Sequence, residues 1–228
     1  MGQESKPRCS LDPENSPYSL DSPNSLDYIY VVSYSTKDPE YTERLLTESS
    51  GWKRFIPVQA PYRWNLRRLS PGFVLDLCCG VGRNLGHLDG NGVGIDHNPD
   101  SNKVAHTRGL KAFTPEEFLL SDFNRAGSFD SLLAAHVLEH MTEAEAVDLL
   151  KGYGPLVKEG GLLILITPQE AGFKSDPTHV HFMDFPQLRA AAAAAGFAAP
   201  VREFSFPFPR PLGRVFTHNE FVAVYKRD

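Results

Sequence analysis

The order of apolar, glycine-rich and helical segments predicts an α/β protein with an open, doubly wound and mostly parallel sheet. Three observations carry that expectation. From Phe73 onward, short apolar runs alternate with helical patterns. The first run ends in a glycine-rich turn that opens a helix. The last two runs follow one another with only a proline-rich connection between them, so they should pair antiparallel.

The elements follow in order. "FVLDLC" (73–78) is the first strand, and its turn leads into a helix near Arg83. "GVGID" (92–96) is the second; Asn98 can cap the helix after it, through about Thr107. "LKAF" (110–113) is the third and "FDSLLAAHV" (129–137) the fourth, with a helix at 142–151. "GGLLILIT" (160–167), the most apolar run, is the fifth. An alanine-rich helix at 187–195 stops at Gly196, and "VREFSF" (201–206) and "EFVAVYK" (220–226) complete seven strands. In such a sheet the ligand belongs at the carboxyl ends of the strands.

Two segments precede this domain (71–228). Residues 1–27 hold four prolines and six serines with few large apolar groups, which predicts a flexible tail. Residues 28–70 have helical spacing, both tryptophans and interleaved arginines, and read as an N-terminal helical lid. Of the 228 residues, 41% are hydrophobic and 22% charged, with a net charge of −5. The tail contributes −3 of that, so the body is nearly neutral. An acidic chain argues against nucleic acid and anionic membranes as partners, although arginines gather at 54–68 and 202–214. Three cysteines with no CxxC pair suit a reduced cytoplasm, and no apolar run approaches the 18 residues that a membrane span needs.

The informative segment is "VLDLCCGVGRN" (74–84). Gly80 and Gly82 let the backbone turn tightly beside a ligand. The third glycine of a dinucleotide fingerprint is replaced by Leu85, and no GK[ST] follows, so neither a dinucleotide nor a phosphate loop fits. Asp76 leads into the turn and is a poor neighbour for a pyrophosphate but a good one for an ammonium or sulfonium. Asp96 ends the second strand, where it can accept both hydroxyls of a ribose. Together they favour an adenosyl ligand with a positive centre.

On these residues the chain resembles the class I S-adenosylmethionine-dependent methyltransferases over about residues 72–227. "GVGIDHN", "FDSLLAAHVLEHM" and "GGLLILITP" are similar to that family's later motifs. "THVHFMDFPQLRAAAAAAGF" resembles the branch containing quinone O-methyltransferases. The resemblance implies a Rossmann-like fold and S-adenosyl-L-methionine as cofactor. Asp76, Gly80 and Gly82 would meet its methionine end, Asp96 its ribose, Glu117 and Phe118 its adenine, and His136 would back it. Cys78 stands where the family has its first glycine.

Methyl transfer from a sulfonium needs orientation and exclusion of water, and a base only when the acceptor keeps its proton. "HVLEHM" and "THVHF" place histidines after the fourth and fifth strands, and His140 and His181 are the candidates for the acceptor side. The resemblance also raises a divalent metal on Glu139, His140, His181 and His136, because some quinone-branch and small-RNA 3′-end enzymes use a Glu-x-x-Glu-His cluster; here the first glutamate is His136. In "SFPFPRPLGR" (205–214), Arg210 could meet an acidic acceptor. The expected activity is O- or N-methylation of a small-molecule metabolite. The alternatives are a metal-dependent RNA 2′-O-methyltransferase and a non-catalytic cofactor-binding subunit.

Overall fold

The computed structural model describes residues 59–228. The expected tail and the lid segment up to residue 58 lie outside the described residues. Of the lid, helix α1 (Ala60–Arg68) is described; Pro61 opens it, where a missing N–H costs nothing.

Strands β1 (Val74–Leu77), β2 (Gly92–Ile95), β3 (Ala112–Phe113), β4 (Phe129–Ala135), β5 (Val157–Pro168), β6 (Ala199–Phe206) and β7 (Glu220–Lys226) match the seven expected apolar runs. They form one sheet in the order β3-β2-β1-β4-β5-β7-β6. Pairings are parallel from β3 to β5, whereas β7 runs antiparallel to both β5 and β6. The expected antiparallel end is therefore present, with β7 inserted between β5 and β6. The chain steps outward from β1 to β3, then returns to β4 on the other side of β1. This change of direction opens a crevice at the carboxyl ends of β1 and β4.

The helices are α2 (Arg83–His87), α3 (Pro99–Thr107), α4 (Pro115–Leu119), α5 (Glu143–Tyr153), α6 (Glu170–Ser175) and α7 (Phe185–Ala194). Their starts have identifiable causes. The Asn98 side chain accepts from the N–H groups of Asp100 and Ser101 to begin α3. Thr114 with Glu117, and Thr142 with Glu145, form reciprocal capping boxes at α4 and α5, each contributing about 1 kcal/mol.

Strand alternation divides the core between the two sheet faces. Leu75, Leu77, Leu132, Leu163, Leu165, Phe221 and Tyr225 pack on one face against Leu150 and Tyr153 of α5 and Leu188 and Ala191 of α7. Val74, Leu133, Ile164, Ile166, Val222 and Val224 pack on the other, against Leu66 of α1. Among the described residues no helix is long and apolar enough to cross a membrane.

Candidate functional site

The turn after β1 is built on left-handed backbone. Cys78, Gly80 and Gly82 have φ of +50°, +54° and +76°. Glycine adopts this region without penalty, whereas a cysteine there is strained by about 1–2 kcal/mol. Gly82 is also confined sterically, since an added Cβ would stand 2.5 Å from Leu110 Cδ1.

Asp96 fastens this turn from β2. Its Oδ2 accepts from the Gly80 N–H at 2.8 Å and its Oδ1 from the Asn98 N–H at 2.9 Å. Burial raises its carboxyl above the usual range, opposed by those amides and by His97. Each oxygen keeps a lone pair for a further donor. The adjoining recess is lined by Leu77, Cys78, Ile95, Asp96, His97, Pro115, Leu149 and Tyr153: apolar walls with a carboxylate at one end. That combination suits a planar base attached to a sugar.

Asp76 is fully buried on β1. Its Oδ1 accepts weakly from Asn84 Nδ2 at 3.4 Å, and its Oδ2 has no partner. Burial pushes its carboxyl up to about 7, partly offset by Asn84 and reinforced by Asp96. A buried carboxylate with an unpartnered oxygen at a sheet crevice fits a cationic ligand group.

Beside it, a second recess is lined by Tyr62, Asn65, Leu66, Asn84, His87, Ala135, His136, Ile166 and Glu220. His136 has a φ of +58° at the end of β4. Its Nε2 lies 2.9 Å from Glu220 Oε1 and its Nδ1 3.3 Å from Glu139 Oε1. Burial alone would lower this imidazole, but the two carboxylates hold it up at about 10, so it is a cation at neutral pH. His87 shows the opposite case: burial, then Arg83, Arg63 and Arg67, push it down to about 4.

Glu139 is fully buried, and neither carboxylate oxygen has a hydrogen bond. It stands with His140 and His179, the three offering ligand atoms within 4.8 Å of one another. The N–H groups of Val180 and His181 both donate to the Glu139 carbonyl, which holds the 178–181 loop against the short helix Leu138–His140. Burial lowers His140 below the ordinary imidazole range.

Several expectations change here. The structure joins His179, not His181, to Glu139 and His140, because His179 Nδ1 is drawn to the Phe173 carbonyl at 2.8 Å and its ring stacks on Phe173. His136 lies beside this group, ion-paired to Glu139 and Glu220. Neither Glu117 nor Phe118 lines the recess beside Asp96. The Glu117 carboxylate caps α4, and Phe118 is 1% exposed against Phe113, Phe129 and Tyr153. Pro115, Leu149 and Tyr153 provide that wall instead. Arg210 is held by Glu170 through two hydrogen bonds of 2.7 and 2.6 Å, and its guanidinium covers the Phe221 ring. Tyr62 belongs to the aromatic segment expected as a lid, whereas Asn65 and Glu220 carried no distinguishing sequence signal; folding brings all three to the second recess.

Comparisons with known proteins agree with this geometry. A family profile described as "Methyltransferase domain" matches residues 50–199. No curated protein sequence matches the chain. A SAM-dependent methyltransferase from Archaeoglobus fulgidus superposes with a TM-score of 0.56 at 18% identity, covering 81% of this chain and 99% of that one. Magnesium protoporphyrin IX methyltransferase from Synechocystis PCC 6803, solved with bound SAH, gives 0.59 at 16% identity, with 85% and 96% covered. A TehB-like SAM-dependent methyltransferase from Corynebacterium glutamicum gives 0.58 at 16%, with 84% and 100% covered. The chain belongs to the methyltransferase-domain family and has the fold of the class I S-adenosylmethionine-dependent methyltransferases.

Proposed function

We propose that this methyltransferase moves the methyl group of S-adenosylmethionine to an oxygen or nitrogen of a small-molecule acceptor, with His140 receiving the acceptor's proton. The observation that carries the reading is the pair of buried carboxylates, Asp76 and Asp96, on either side of a turn whose alternate residues are left-handed. Asp76 would hold the ammonium of the methionine end and Asp96 the ribose hydroxyls. When bound, S-adenosylmethionine supplies an electrophilic methyl on a sulfonium. The protein's share is to align the acceptor with it and exclude water. Gly80 and Gly82 allow close approach of backbone, and Tyr153, Leu149 and Pro115 wall the base. His140 is half-buried, is held below the usual imidazole range, and so is neutral and able to take a proton at pH 7. His181, on the 178–181 loop that packs against the short helix Leu138–His140, is a second candidate base. The chain's overall acidity supports a small acceptor over nucleic acid.

The test is a screen of source-cell extract with isotopically labelled methyl donor, followed by mass spectrometry of the labelled product. A labelled small molecule supports the reading. Label found only in RNA or protein overturns the acceptor class.

A second reading has its own observation. The buried Glu139 carboxylate, whose Oε2 has no partner, has with His140 and His179 the ligand types of a divalent transition-metal site. There a metal would supply Lewis-acid polarisation of an acceptor oxygen, and His140 would be a ligand in place of a base. Elemental analysis of purified protein decides it. One equivalent of zinc or manganese, lost in His179→Ala, supports the metal. Full turnover after exhaustive chelation removes it.

A further inference from the structure

The hydrogen bonds around Glu139 determine which nitrogen of each neighbouring imidazole carries its proton. His140 Nδ1 lies 3.4 Å from the Thr178 carbonyl, which can only accept, so Nδ1 carries the proton. It lies 3.2 Å from Thr178 Oγ1, whose single hydrogen is given to Asp176 Oδ1 at 2.7 Å. The hydroxyl must therefore accept from Nδ1–H. Asp176 Oδ1 also accepts the Thr178 N–H at 2.9 Å, which fixes the hydroxyl in place. On the second imidazole, His179 Nδ1 donates to the Phe173 carbonyl at 2.8 Å. Both rings consequently leave Nε2 clear of these bonds, their centroids 4.8 Å apart and His179 Nε2 4.0 Å from Glu139 Oε1. Glu139 adds a buried carboxylate whose Oε2 has no partner and whose Oε1 leans toward His136.

We infer that Asp176, Thr178 and the Phe173 carbonyl are a positioning shell that keeps the proton of each imidazole on Nδ1, so that Nε2 is the ring atom each histidine offers to an acceptor. This rests on the proposal that the acceptor docks on the His140 side. Thr178 and Asp176 act through His140 and touch no reacting atom.

The experiment reads the tautomers directly, without an acceptor. Full-length protein labelled with ¹⁵N-histidine is treated with chelator and examined at pH 8 by two-bond nitrogen–proton correlation. His140→Gln and His179→Gln assign the two rings. The expected result is an Nδ1–H form for both in wild type. Thr178→Val should shift His140 toward the Nε2–H form and leave His179 unchanged, whereas Thr178→Ser keeps the wild-type pattern. An Nε2–H His140 in wild type, or no response to Thr178→Val, overturns the inference. A purely structural role for Thr178 would alter melting temperature without that ring-specific change. Failure of the methyl-transfer reading would appear separately, as loss of S-adenosylhomocysteine binding with the tautomers intact.

Discussion

The proposed cofactor half and the proposed acceptor half of the crevice are built by different means. Around Asp76 and Asp96 a backbone turn with left-handed residues is joined by one carboxylate on a strand and a second that fastens the turn through the Gly80 N–H. Around Glu139 the site is made of side chains from separate loops, oriented by a threonine, an aspartate and a carbonyl. A backbone site is specified by a few contiguous residues. A side-chain site is specified by how distant loops pack, and it can change its chemistry with one substitution. That contrast suits an enzyme that keeps one cofactor while its acceptor varies.

Variants can separate the halves. The largest effect is expected for His140→Gln: turnover of the product identified by the labelling screen should fall by about 10²–10⁴-fold, with S-adenosylhomocysteine affinity unchanged by calorimetry. A parallel loss of affinity would mean the halves are not independent. Asp96→Asn should do the reverse, weakening S-adenosylhomocysteine about 10- to 100-fold through the lost charged acceptor. The tautomers of His140 should stay as they are.

Asp76 supplies the pH dependence. Its carboxyl is raised from the ordinary 3.8 to about 7 by burial, so the folded apo protein binds more protons than the unfolded chain between those values. Apo stability therefore falls as pH rises from about 4 to 7, and ligand affinity weakens as pH drops below 7. Denaturant melts at pH 8 should find Asp76→Asn about 2 kcal/mol more stable than wild type, with the gap closing at pH 4. The smallest effect is on strain. Cys78→Gly relieves a left-handed residue and should stabilise the apo protein by about 1 kcal/mol or less.

The cofactor half was legible because its physics is local. Asp76, Gly80 and Gly82 lie within seven residues, and Asp96 ends the next strand, where alternation of apolar runs already placed it. Seven strands followed from the same rhythm, although nothing in it placed β7 between β5 and β6. The rest of the site resisted for two reasons. "THVHF" offers two histidines two residues apart, and a contact with Phe173 determines which turns toward Glu139. In "TPEEF" a capping box and a packed aromatic ring use the residues that the family resemblance offered as an adenine contact. Glu220 becomes a partner of His136 only because β7 is inserted beside β5.

The most direct test is calorimetric titration of S-adenosylhomocysteine into the wild-type chain and Asp76→Asn at pH 8. Wild type should bind one molecule per chain, and the variant, folded and no less stable, should bind at least about 30-fold more weakly, since removing one member of a buried charge pair costs about 2–5 kcal/mol. No binding by wild type, or equal binding by both proteins, would contradict the assignment of this crevice to the methyl donor.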